Sequence, residues 1–321
     1  TSALVGARAS SQQSDSYIET EHGGFIIAIA IEKVTSKSKY QDSIKSMNEK
    51  IRAQKPKKGI DNIPVKELWQ HRGLFYFLAW RDIKVRYKQT VLGIAWAVLQ
   101  PFVMMVIFSV VFGTMAKIPS DNIPYPIFVY TGLLLWNLFS SSLSGVSQSL
   151  IANATIIQKV YVPKLTIAAS SIVVYLVDFC FAALVLAGIM IYYQFVPRFT
   201  GLFLLPLALV ITILSALGLG LFLAALNVRY RDVRYILPFF IQLLIFITPV
   251  IYPLSIVPVH YRWILNLNPM TGVISAFKAG FLQNVPVDWN GMLISFAVGV
   301  ALFVFGVWYF LKTEKIFADI I

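Results

Sequence analysis

Trp80-Arg-Asp-Ile-Lys-Val-Arg-Tyr-Lys-Gln-Thr-Val-Leu-Gly-Ile-Ala-Trp-Ala-Val-Leu-Gln-Pro101 changes character half-way along. Up to Lys88 it is basic and aromatic; from Val91 it opens an apolar run that reaches Ala116. A helix of this kind meets a membrane surface first and then enters the membrane, because about 20 residues at ~1.5 Å rise cross the hydrocarbon core. The whole chain agrees, with 58% hydrophobic and only 13% charged residues. Soluble domains hold roughly 45–50% apolar and about 25% charged residues.

Six apolar runs follow the basic stretch, at about 91–116, 127–150, 165–193, 201–226, 235–252 and 291–311. The fold expected is therefore all-α: an integral membrane bundle of six transmembrane helices. The formal charge of +12 is spread along the flanks of these runs instead of forming one patch, which argues for membrane topology and against a nucleic-acid partner. With the N-terminus placed in the cytosol, the inner segments hold thirteen cations: Lys66, Arg72, Arg81, Lys84, Arg86, Lys88, Lys159, Lys164, Arg229, Arg231, Arg234, Lys312 and Lys315. The outer segments hold four, Lys117, Arg198, Arg262 and Lys278. Positive-inside asymmetry then predicts that both termini are cytosolic.

Residues 1–64 read as a polar cytosolic extension, and their one apolar run, Phe25 to Ile31, is too short to span. No cleaved signal peptide is expected there. Residues 65–90 form an amphipathic pattern. Trp69, Tyr76, Trp80, Ile83 and Tyr87 share one helical face, beside a basic stripe of Arg81, Lys84 and Lys88 with Arg86 close by. This suits an in-plane helix whose rings lie at headgroup depth. The permease domain proper is expected over 91–315.

Two connections stand out. Asn153-Ala-Thr-Ile-Ile-Gln-Lys-Val-Tyr-Val162 has capping-box spacing at Thr155 and Gln158 and a boundary at Pro163, which predicts a short inner helix over 153–162. Ile156, Ile157, Val160 and Tyr161 are expected to be partly exposed there, as a docking surface or as packing on the bundle. The outer segment between runs five and six carries two apolar blocks punctuated by Pro258, Pro269 and Pro286, and predicts two short outer helices within about 256–284.

The chain lacks a Gly-x-x-x-x-Gly-Lys-Ser/Thr loop, so it carries no phosphate loop of its own. The three histidines lack metal-ligand spacing, and no metal or other cofactor is expected in this chain. Asp178 is the one carboxylate deep inside an apolar run, which leaves a proton-coupled carrier open as an alternative; an ordinary interhelical hydrogen bond is the plainer reading. A membrane-embedded glycan enzyme is a third class, for which clustered polar groups are missing. Kinking prolines and glutamines in runs one and five, Gln100-Pro101 and Gln242 with Pro238 and Pro249, suit a polar passage as well as irregular packing.

Trp80 to Trp96 with Gln100-Pro101, then Tyr161-Val-Pro-Lys164, Asn227-Val-Arg-Tyr-Arg-Asp232, Thr248-Pro-Val-Ile-Tyr-Pro253 and Asn268-Pro-Met270, together resemble the membrane subunit of bacterial ABC exporters for polysaccharides. The resemblance covers about residues 65–315. It implies a homodimer in the cytoplasmic (inner) membrane, working with two copies of a separate ATPase that binds ATP and Mg, and a lipid-linked polysaccharide substrate. It implies that Asn153, Thr155, Ile156, Ile157, Lys159, Val160 and Tyr161 couple to the ATPase, beside an interface helix bearing Trp69, Tyr76, Trp80, Arg81, Lys84, Arg86 and Lys88. The outer helices would be gate helices. Runs one and five would line the channel, which makes Trp96, Gln100, Phe102, Phe108, Gln242, Phe246 and Tyr252 the candidate substrate contacts.

Overall fold

The computed structural model describes residues 72–88, 93–121, 123–159, 162–230, 232–281 and 286–320, and among them there is no strand. The 1–64 extension and Trp69 lie outside the described residues, as do Val160 and Tyr161. The helices are α1 Arg72–Lys88, α2 Gly93–Phe108, α3 Tyr125–Ala152, α4 Ala154–Lys159, α5 Lys164–Tyr192, α6 Phe199–Arg229, α7 Val233–Ile247, α8 Val259–Asn266, α9 Pro269–Phe281 and α10 Trp289–Ile320. A π-helical turn, Ser109–Met115, continues α2.

Among the described residues, five segments are long and apolar enough to cross a membrane: Ala95–Met115, Tyr125–Ala152, Lys164–Tyr192, Phe199–Arg229 and Trp289–Glu314. The run expected at 235–252 behaves differently. Its helix, α7, has 15 residues and stops at Ile247, covering about 22 Å of a hydrocarbon core ~30 Å thick. The cause is Pro249, whose ring bars the α conformation to the residue before it. Thr248 accordingly turns extended, at φ −79° and ψ 139°.

Helix α3 is the hub. Tyr130, Phe139, Leu133 and Leu135 are fully enclosed, and α3 packs along α5 and along α6. Helices α6 and α10 pack extensively and meet through glycine. A Cβ at Gly306 would fall 2.0 Å from the carbonyl oxygen of Gly218, so only backbone fits there. Lipid supplies no hydrophobic force between helices, and such close van der Waals approach takes its place. Helix α9 fits against both α6 and α10. By contrast α2, with the turn that continues it, and α7 each leave a long apolar face uncovered: Leu99, Val103, Val106 and Val110 on one, Tyr235, Phe239 and Leu243 on the other.

Candidate functional site

Asn153 joins three helices. It closes α3, where its Nδ2 donates to the Ser149 carbonyl at 2.9 Å. Its own carbonyl accepts the amides of Ile156 and Ile157 at 3.0 and 3.1 Å, which starts α4. Its Oδ1 accepts Arg81 Nη2 of α1 at 2.7 Å. Arg81 also holds Asp82 Oδ1, at 2.7 and 2.9 Å. A six-residue helix is marginal on its own, so α4 depends on packing. Ile156 and Ile157 are half-buried, and both pack on a cluster of Leu78, Val162 and Ile167. Thr155, Gln158 and Lys159 form the exposed side. The apolar side of α4 thus rests on its own bundle, and the polar side faces out.

Helix α1 runs along α5 instead of crossing it. Leu78 clusters with Val162 and Ile167 near the start of α5, while two turns later Arg86 and Tyr87 meet residues two to three turns further up α5. Arg86 Nη2 pairs with Asp178 Oδ2 at 2.7 Å, and the Tyr87 hydroxyl donates to Asp178 Oδ1. The guanidinium also lies 5.3 Å from the Tyr175 ring centroid, and that ring occupies space opened by Gly145 of α3. Burial, then the bond to Asp178, push the Tyr87 hydroxyl pKa up, which keeps it a donor. Asp178 therefore has the interhelical hydrogen bond that the sequence suggests, from Tyr87, and a basic partner as well, Arg86. Oppositely charged groups in an apolar run and in the amphipathic helix before it were the available signal.

On the far side of α1, Tyr76 and Trp80 stack at 6.4 Å and are exposed. Lys84 Nζ sits 5.3 Å from the Trp80 ring centroid, and Lys88 is exposed as well. The buried side of α1 is Leu78 and Ala79. Tyr87 is thus separated from the aromatic face on which its spacing placed it.

Of the candidate channel residues, Trp96, Gln100 and Phe102 are exposed on α2, and Gln242 and Phe246 on α7. Phe108 is a correction: it is 7% exposed, its ring set edge-on to Phe112 at 5.6 Å, so it fills the core of the bundle. Tyr252 is half-buried and its hydroxyl donates to the Ile247 carbonyl at 2.7 Å. Gln100 and Gln242 place amides on apolar faces, where lipid would leave them unsatisfied. Protein or water is the better neighbour for these faces.

The segment after α7 is non-helical and is bonded residue by residue. Asn268 Nδ2 donates to Thr248 Oγ1 at 2.8 Å. Lys278 Nζ donates to the carbonyls of Pro249 and Val250 at 2.9 and 2.7 Å. The Tyr125 hydroxyl donates to the Ile251 carbonyl at 2.8 Å. Lys278 is 5% exposed, and burial pulls its pKa well below the usual lysine range, with Asp121 acting against this. The sequence counts Lys278 among the outer cations, within a short outer helix; nothing in the local pattern shows that it turns inward.

The family model described as ABC-2 type transporter matches residues 73–282. The O-antigen export system permease protein RfbA of Myxococcus xanthus is 33% identical over 242 residues, covering 74% of this chain and 91% of that protein. A protein of the same name from Klebsiella pneumoniae is 28% identical over 241 residues, 75% of this chain and 92% of the relative. The polysialic acid transport protein KpsM of Escherichia coli is 24% identical over 234 residues, 70% of this chain and 89% of the relative.

Proposed function

The chain belongs to the ABC-2 type transporter family, and on that premise we propose that it is the permease subunit of an ATP-driven exporter of lipid-linked polysaccharide. It works as a homodimer in the cytoplasmic membrane with both termini in the cytosol, and two copies of a separate ATPase bind the ATP and Mg. Similarity to O-antigen and polysialic acid transport proteins supports the substrate class. Thirteen inner cations against four outer ones support the orientation. The six-span count is kept by letting α7 and the bonded segment 248–253 cross together.

The observation that carries the reading is a tie from α4 into the spans: α4 to Asn153, Asn153 to Arg81 of α1, and Arg86 and Tyr87 of α1 to Asp178 of α5. In this reading α4 is the coupling helix and its exposed Thr155, Gln158 and Lys159 meet the ATPase. Closure of the ATPase pair displaces α4, Asn153 pulls Arg81, and α1 moves as a rod that carries α5 with it through Asp178. Helix α2 follows α1 in the chain and moves with it. The uncovered faces of α2 and α7 then line the passage between the two copies, with Trp96, Gln100, Phe102, Gln242 and Phe246 along it. Aromatic faces suit the C–H faces of sugar rings, and the glutamines suit their hydroxyls. The outer helices α8 and α9 act as the gate.

Asp178 speaks against the proton-carrier alternative. A carrier acid must exchange its proton with a passage, whereas Asp178 accepts from both Arg86 and Tyr87. The test is reconstitution into vesicles with the partner ATPase, following glycolipid across the membrane. Transport is expected to need hydrolysable ATP and both proteins. Uphill movement by this chain alone, driven by a proton gradient, would overturn the reading.

A further inference from the structure

We propose that Lys278 is the residue that fixes the outer end of α7 and so keeps the resting passage shut at its outer mouth. This rests on the passage-lining role given to α7 above. Three observations converge on it. Lys278 Nζ meets three groups: the carbonyls of Pro249 and Val250, to which it donates, and the face of Phe128, whose ring centroid lies 3.6 Å away. The position opposite is glycine, and a Cβ at Gly132 would come within 2.8 Å of Lys278 Cε and 3.1 Å of the Val250 carbonyl oxygen. The rest of α7 is held weakly, since Leu237 and Ile245 are its buried residues.

The consequence is mechanical. Helix α7 needs Pro249 to stop short, and stopping short frees carbonyls at a depth where water is scarce. Lys278 takes two of them and bonds them to α9 while its stem lies against α3. Its neighbours Asn268 and Tyr125 secure Thr248 and Ile251 on either side. The outer end of α7 is thereby pinned to two helices at once, and the poorly packed remainder of α7 is the part that swings. With the pin intact, opening at the inner end leaves the outer mouth closed. Without it, both ends of α7 are loose.

The test is ionic conductance of planar bilayers containing the complex with its ATPase, in potassium chloride and without ATP. Lys278→Met keeps the length of the stem and loses the donors; Gly132→Ala leaves the lysine in place and pushes it off the carbonyls. Both are expected to raise the resting conductance about 10- to 100-fold, as two buried carbonyls left without their donor shift a closed–open equilibrium, with Lys278→Arg staying as tight as the parent. Assembly with the ATPase and ATP hydrolysis report folding. Should Lys278→Met fail to assemble, Gly132→Ala decides. Variants that assemble and remain as tight as the parent overturn the pin. Absence of ATP-driven export by the parent complex would instead overturn the function on which the pin rests.

Discussion

Changing Asp178 to Asn removes one charge and keeps the shape of the side chain. In the parent, one carboxylate oxygen accepts Arg86 at 2.7 Å, with side-chain exposures of 41% and 17% for Arg86 and Asp178; the other accepts Tyr87. A fully exposed pair contributes about 0–1 kcal/mol, and stripping one partner from a fully buried pair costs about 3–5 kcal/mol. This pair lies between. Arg86 can turn to solvent when released, and an Asn oxygen still accepts from Tyr87. About 2 kcal/mol is therefore expected, which is some thirtyfold in the local opening of α1 from α5. Amide hydrogen exchange on the complex reads that opening at residues 82–88, and vesicle export reads function. Exchange should rise by that factor, and ATP-driven export should fall while still requiring ATP. A complex that assembles normally, shows unchanged exchange and has lost export entirely would refute the reasoning, because Asp178 would then act on something that is transported.

Other consequences follow from the same geometry. Arg81→Ala and Asn153→Ala should each slow export while the ATPase stays bound, and the double variant should show a coupling of about 1 kcal/mol in a thermal-stability cycle. Charge reversal on the exposed side of α4, Lys159→Glu with Thr155→Glu, should weaken ATPase binding about tenfold in a pull-down titration and leave the permease Tm unchanged. Ile157→Asp should do more, because Ile157 also packs on the Leu78 cluster; its Tm should fall along with binding. At Gly306 a new Cβ meets the Gly218 carbonyl, so Gly306→Val should destabilise the α6–α10 pair by about 1–3 kcal/mol, read as a lowered Tm in nanodiscs.

The long spans were legible because each depends on an unbroken apolar run. Lys164–Tyr192 and Phe199–Arg229 fall within a few residues of the runs at 165–193 and 201–226. Run five was misread in its second half, since apolar composition passes smoothly through Thr248-Pro249 while the proline ring ends the helix there. Asn153 enters only as the first residue of the short inner helix that the family resemblance marks; its tie to Arg81 spans 72 residues, and periodicity carries no such information. The inward turn of Lys278 was hidden for the same reason: its acceptors are two backbone carbonyls and a ring, and carbonyls have no letter in a sequence. Phe108 looked like a channel aromatic because it shares a run with Trp96 and Phe102. Only the packing of α2 shows that it points the other way.

The pairing of Tyr87 and Arg86 with Asp178 also sets an order of events during synthesis. Tyr87 leaves the ribosome 91 residues ahead of Asp178, so α1 is made before the acidic span begins to insert. An aspartate near the middle of an inserting helix costs about 2.5–3.5 kcal/mol by translocon measurements. The nascent α5, strongly apolar apart from this acid, meets its counter-charge already made, and the cost of inserting the carboxylate falls on a salt bridge instead of on an isolated charge.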